Sequence, residues 1–192
     1  MRPAYVRAVS KKRVVQAAVA TGVALSLAGC FGTGNHPVGV KGLDVRPGLY
    51  TSAIPLGGHC VVEREQSGIP GFLGGATSSG GRSFIDVLTT DTGVVSSGCG
   101  FWVHPRLGSY NPNRATAKVG TYRVSTDLLP GTYAAPGGSG CSWQRLSNFT
   151  GSAASVIAQN LNPGVSPQVT IASTDAGFKT TIQCGGWHRV AP

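Results

Sequence analysis

The chain has 192 residues, sixteen Lys/Arg against seven Asp/Glu, and a formal net charge of +9. Five of the basic residues and none of the acids fall within residues 1–29, so the rest of the chain carries only +4, scattered rather than clustered. That argues against a nucleic-acid surface, which needs grouped Lys/Arg. Strong helix formers are scarce, and short runs of Val, Ile, Thr and aromatics alternate with Gly/Pro/Asn/Ser clusters, which predicts an all-β fold.

The first element in chain order is an export signal. Arg2, Arg7, Lys11, Lys12 and Arg13 precede an apolar run from Val14 to Ala28. A basic start, a short apolar core and small residues before a cut describe a signal peptide. The run is shorter than the roughly 20 residues a helix needs to span a bilayer. Its end, Leu27-Ala28-Gly29-Cys30, resembles the lipobox of bacterial lipoproteins. The resemblance implies that residues 1–29 are removed. It also implies that acyl chains such as palmitate, carried on Cys30, hold the protein at the extracytoplasmic face of the cell membrane. Each buried CH₂ contributes about 0.8 kcal/mol, so two or three chains make release negligible. Lys12-Arg13 is not a twin-arginine pair, which favours the general secretory route. The alternative is an ordinary signal peptide followed by a chance cysteine. Residues 30–37 form the lipidated Cys and a short tether, reaching about 25 Å at full extension.

From residue 38 the chain repeats itself. Asp44-Val45-Arg46-Pro47-Gly48-Leu49-Tyr50 matches Asp127-Leu128-Leu129-Pro130-Gly131-Thr132-Tyr133. In the same order, Cys60 to Arg64 matches Cys141 to Arg145, and Phe72-Leu73-Gly74 matches Phe149-Thr150-Gly151. Thr90-Asp91-Thr92-Gly93 then matches Thr174-Asp175-Ala176-Gly177, and Cys99-Gly100-Phe101-Trp102 matches Cys184-Gly185-Gly186-Trp187. The lead-ins Val38-Gly39 and Val119-Gly120 agree as well. Self-similarity of this kind indicates a duplicated structural unit. The expected organisation is a β-module over 38–104, a linker over 105–118 and a second β-module over 119–192.

In the first module strands are expected at Gly48–Ile54, Cys60–Glu65, Ser83–Leu88 and Val94–Ser97. Gly74–Gly81 reads as a loop too rich in Gly and Ser to pack. In the second they are expected at Thr121–Ser125, Gly131–Ala134, Cys141–Leu146, Ser155–Gln159, Gln168–Ser173, Phe178–Gln183 and Trp187–Val190. Asn162-Pro163-Gly164 has turn chemistry, and Asn162–Ser166 is expected to close a hairpin between the strands on either side.

Four cysteines remain after Cys30, allowing three pairings. The repeat gives each module one early and one late Cys, predicting Cys60–Cys99 and Cys141–Cys184. An oxidising compartment favours both bonds. Each closes a loop of about 40 residues, worth roughly 4 kcal/mol in the chain-entropy model. Trp102, Trp143 and Trp187 lie within three residues of these cysteines and are expected to pack on the bridges. The Cys–Trp–Cys pattern is similar to that of immunoglobulin domains, but Ser97 and Ile182 stand where a Tyr is wanted. The expected fold is therefore two tandem, disulfide-stapled antiparallel β-sandwich or barrel modules.

Chemical motifs are few. His59, Cys60, Cys99 and His104, and Cys141, Cys184 and His188, can be drawn as two Cys₂His metal sites. Disulfide formation takes those thiols, so neither a metal nor another cofactor is expected. His59, His104 and His188 stay as candidate binding residues. No Gly-x-Ser-x-Gly elbow and no phosphate loop occurs. Asp44, Asp91, Asp127 and Asp175 recur beside Pro or Gly and read as turn residues, which leaves no paired carboxylates for glycoside hydrolysis.

The string Pro130-Gly131-Thr132-Tyr133, Cys141-Ser142-Trp143-Gln144-Arg145-Leu146, Val169-Thr170-Ile171, Asp175 and Cys184-Gly185-Gly186-Trp187 looks like a repeat in secreted and lipid-anchored proteins of high-GC Gram-positive bacteria and their phages. It implies a setting and no mechanism. The first module departs from it at Val62, where the second has Trp143. The expected function is a non-enzymatic, membrane-anchored module that binds an envelope protein or wall glycan and no nucleic acid. Gly57–His59, Gly74–Gly81 and Gly137–Gly140 are its expected contact loops. The alternatives are a prophage-type lipoprotein acting in superinfection exclusion, and a hydrolase with an unrecognised site.

Overall fold

The computed structural model describes residues 46–66, 74–108 and 110–192. Cys30, the tether, the Val38-Gly39 lead-in and Phe72-Leu73 lie outside the described residues.

The fold is all-β, with every strand pairing antiparallel. The first half contains β1 (Gly48–Ile54), β2 (Cys60–Glu65), β3 (Gly75–Ser78), β4 (Gly81–Val87), β5 (Gly93–Ser97) and β6 (Trp102–Val103). They form two sheets, ordered β4-β1-β6 and β3-β2-β5. The second half contains β7 (Thr116–Ala117), β8 (Gly120–Arg123), β9 (Gly131–Ala134), β10 (Trp143–Leu146), β11 (Val156–Asn160), β12 (Gln168–Ile171), β13 (Gly177–Thr180) and β14 (Trp187–Ala191). Its sheets are ordered β12-β9-β14-β7 and β11-β10-β13-β8. Adding eight to each strand number of the first half reproduces the second, with β7 and β8 extra at the sheet edges.

Strand burial follows the period-2 rule for a sheet with one face on a core. Along β2, Cys60, Val62 and Arg64 are buried while Glu63 is exposed. Along β12, Val169 and Ile171 are buried between exposed Gln168 and Thr170. Each half has its own core. Tyr50, Val62, Ile85, Val94 and Trp102 fill the first. Tyr133, Leu128, Phe178, Ile171 and Trp187 fill the second.

The two disulfides pair as expected, Cys60–Cys99 and Cys141–Cys184. Beside each bridge a buried Trp joins the two sheets of its half. Trp102 on β6 donates its indole N–H to Ser96 Oγ on β5 (3.2 Å). Trp187 on β14 donates to Thr180 Oγ1 on β13 (2.8 Å). The repeated tyrosines also match: Tyr50 donates to Arg46 O (2.9 Å) and Tyr133 to Leu129 O (2.7 Å). A buried Tyr hydroxyl needs such an acceptor.

Four expectations require correction. Gly74–Gly81 is not an open loop: it contains β3, and Gly74 and Ser78 are buried. Its glycines let two backbones touch. Gly151 sits at φ +73°, and a Cβ there would lie 2.4 Å from Gly75 N. Second, the segments flanking Asn162–Ser166 do not pair with each other. β11 pairs with β10 and β12 with β9, so the connection crosses between sheets. Third, the 3-10 turns Ala153–Ser155 and Ile182–Cys184 replace the ends of two expected strands. Fourth, residues 105–118 do more than connect. Thr116–Ala117 pairs with β14, and Tyr110 stacks on Tyr122 at 5.6 Å while donating to Thr121 O (2.8 Å).

The halves pack directly on each other. Phe84 on β4 and Phe149 meet at 5.2 Å between ring centroids, inside a cluster with Leu146. Phe149 N donates to the Asp86 carboxylate (2.9 Å), and Asp86 N donates back to Phe149 O (3.0 Å). Gly75 N donates to Gly151 O (3.1 Å).

Candidate functional site

Packing the halves together creates a cleft of about 510 Å³, walled by β2 and β3 on one side and β10, β11 and β13 on the other. One row of side chains crosses the second half's sheet at this cleft. Register aligns Gln159 on β11 with Gln144 on β10, Gln144 with Lys179 on β13, and Lys179 with Thr121 on β8. Partners in register point to the same face, and all four line the cleft. Gln144 donates an amide N–H to Gln159 Oε1 (2.9 Å), which fixes both amides. Opposite stand Glu63 and Val61 of β2, with their neighbours Gly75 and Thr77 of β3.

Lys179 dominates the electrostatics of this row. Burial pulls its ammonium below the ordinary lysine value, because desolvation disfavours the charged form. The salt bridges among the described residues are Arg64–Asp91, Arg123–Asp127 and Arg145–Asp175; Lys179 is in none of them, and Glu63 is the carboxylate on the facing wall. A half-buried ammonium beside the fixed Gln144 amide is a ready donor to oxygen atoms of a ligand.

A second concavity of about 390 Å³ continues the cleft and shares Thr77, Gln144 and Lys179 with it. Trp143 borders this part, half-buried and packed against the core of the second half, and its indole nitrogen is buried. Trp102 and Trp187 are wholly buried, whereas Trp143 reaches the same kind of core from its edge.

The three candidate histidines do not converge. His59 is exposed at the rim of the second concavity. His104 packs on Tyr50 at 4.2 Å, bonds to Leu49 O through Nδ1 (3.1 Å), and borders a different pocket. His188 is exposed on β14 opposite Thr116 and belongs to none of these concavities. Among the described residues no group of three His, Cys, Asp or Glu is placed to hold a metal ion.

The recurring aspartates are more than turn residues. Asp91 accepts from Leu88 N (2.8 Å) and Asp175 from Ala172 N (3.0 Å), as turn residues do. Each also forms a bidentate pair with an arginine, Arg64 and Arg145 respectively. Those arginines were visible in the repeat as the last residues of the Cys60–Arg64 and Cys141–Arg145 match. Lys179, Gln144 and Gln159 carried no such signal: Lys179 stands where the first half has Val95, and Gln144 where it has Glu63.

Residues 114–188 match the family model described as an Rv1352-like extracellular domain. The match runs from before β7 into β14 and so takes in the polar row of the cleft. It supports an extracytoplasmic location for this disulfide-bonded β-module. No curated protein and no solved structure matches the chain.

Proposed function

We propose that the protein is a lipid-anchored, non-enzymatic binding module that holds wall glycan in the cleft between its halves. The observation that carries the reading is the row Gln159–Gln144–Lys179–Thr121. Amides, a hydroxyl and an ammonium offer hydrogen bonds, and Leu146 and Phe149 beside them offer apolar surface. Sugar hydroxyls and acetamido groups are bound by such fixed donors and acceptors set in a largely apolar cleft. The expected contact loops Gly57–His59 and Gly137–Gly140 flank the reading rather than carry it. Gly74–Gly81 builds the cleft wall instead. We read the halves as copies of one module, of which only the second has the lysine, where the first has Val95.

The anchor is the other part of the proposal. Acylated Cys30 and a short tether would keep the cleft near the membrane. Mass spectrometry of the mature N-terminus tests it. Acylated Cys30 at residue one is expected; an unmodified Cys30, or a cut elsewhere, contradicts it. For the cleft, the mature protein is titrated with soluble glycan strands. Saturable binding is expected, weakened at least 10-fold in Gln144→Ala and Lys179→Met. Equal binding by both variants and the unaltered protein would overturn the assignment.

A further inference from the structure

We infer that a second site, a pocket of about 560 Å³ bordered by Arg82, Arg106 and Arg123, binds a phosphate group. The three arginines come from separate segments: β4, the stretch after β6, and β8. No carboxylate lines the pocket. The chain beyond residue 29 has only eleven Lys/Arg, and three of them gather here.

The three play different parts. Arg123 is held by Asp127 through Nε (2.7 Å) and Nη2 (2.9 Å), and Nη2 also donates to Gly108 O (2.9 Å). Its charge is matched, so it shapes the wall and fixes the residue 108 turn. Arg82 lies over the Tyr110 ring at 4.1 Å, and Tyr110 is itself fixed by Thr121 O and Asp127. Stacking holds the guanidinium plane and leaves its N–H edge for an acceptor. Arg106 is exposed and has no ion pair among the described residues. Both guanidiniums line one concavity, and neither has an ion pair among the described residues, so an anion bound there would be matched by both. The planar N–H fork fits phosphate oxygens two at a time. A phosphate carries more charge and more acceptor oxygens than a carboxylate, so it can take a fork from each guanidinium at once.

The phosphate could belong to a lipid headgroup or to a soluble or polymeric phosphate, and the test separates these sources. The disulfide-bonded mature chain is titrated with inorganic phosphate, with chloride at matched ionic strength as the control. Saturable stabilisation by phosphate alone is expected, because a ligand that binds only the native state raises its stability. Arg106→Ala, at an exposed position, and Arg82→Lys, which keeps the charge, should each weaken it at least 5-fold. The Gln144→Ala cleft variant should not, so this site can fail or hold independently of the glycan reading. In the second arm, vesicles of phosphatidylglycerol are compared with phosphatidylcholine. Arginine-dependent sedimentation with the former assigns the headgroup. Phosphate binding without sedimentation assigns a soluble or polymeric source. Indistinguishable effects of phosphate and chloride, or unaltered affinity in both arginine variants, would overturn the site.

Discussion

Arg64 and Asp91 form a two-pronged ion pair inside the first half, Nε to Oδ2 at 2.6 Å and Nη2 to Oδ1 at 2.7 Å. Arg64 also donates through Nη1 to Thr150 O of the second half (3.2 Å), so one guanidinium braces a turn and a junction together. Both side chains are almost wholly buried, 5% and 1% exposed, whereas Arg145 in the matching Arg145–Asp175 pair is 23% exposed. Removing one partner of a buried pair strands the other charge and costs about 3–5 kcal/mol. Asp91→Ala should therefore lower unfolding free energy by that order in urea titrations, and Asp175→Ala by clearly less, since water reaches Arg145. Equal losses would contradict the burial argument.

The two disulfides should contribute similarly. Their sequence separations are 39 and 43 residues, which the chain-entropy model equates to roughly 4 kcal/mol each. Replacing either Cys pair by Ser should lower the urea midpoint by a comparable amount. Tryptophan fluorescence should report the loss of packing around Trp102 in one case and Trp187 in the other.

The halves should unfold as one unit, because the junction is built from close backbone contact and buried rings. Phe149→Ala deletes the ring that meets Phe84 and should cost about 3–5 kcal/mol. Gly151→Ala should be harmful for another reason: a Cβ at φ +73° is strained and would press on Gly75. In both variants a single unfolding transition should split into two, visible by calorimetry.

Lys179 gives a pH signature whose sign follows from linkage. Its native value lies below that of the unfolded chain, so between the two values the unfolded state holds more protons. Stability then rises with pH through that window as the native ammonium loses its charge, and the cost of burial is full below it. Lys179→Met should remove this rise. The tyrosines shifted upward by burial work in the opposite direction above about pH 10, near the ordinary tyrosine value. The difference between wild type and Lys179→Met isolates the lysine. Parallel stability–pH curves would contradict its assigned environment.

What could be read from the chain was what the repeat displayed twice. Cys60–Cys99 and Cys141–Cys184, the buried Trp102 and Trp187, and most strand positions follow from it. Arg64–Asp91 and Arg145–Asp175 were printed twice as well, but 27 and 30 residues separate the partners, and no local rule joins them. Strand partners were less legible. Period-2 burial in β11 and β12 says which face is buried and not which sheet each joins. The Gly-rich stretch at 74–81 has the composition of a loop because backbone pairing needs no side chains, so β3 leaves little trace in the sequence. The cleft escaped for the converse reason. Lys179, Gln144 and Gln159 are what the second half does not share with the first, and they meet only when three strands align.

The most direct test of the account replaces Gln159, exposed at the cleft edge, with a photo-reactive amino acid in the full-length protein in living cells. Val190, exposed on β14, serves as the control position. Crosslinked products carrying wall glycan are expected from position 159 and not from 190, recovered with the membrane fraction. Identical products from the two positions, or none carrying glycan, would contradict it.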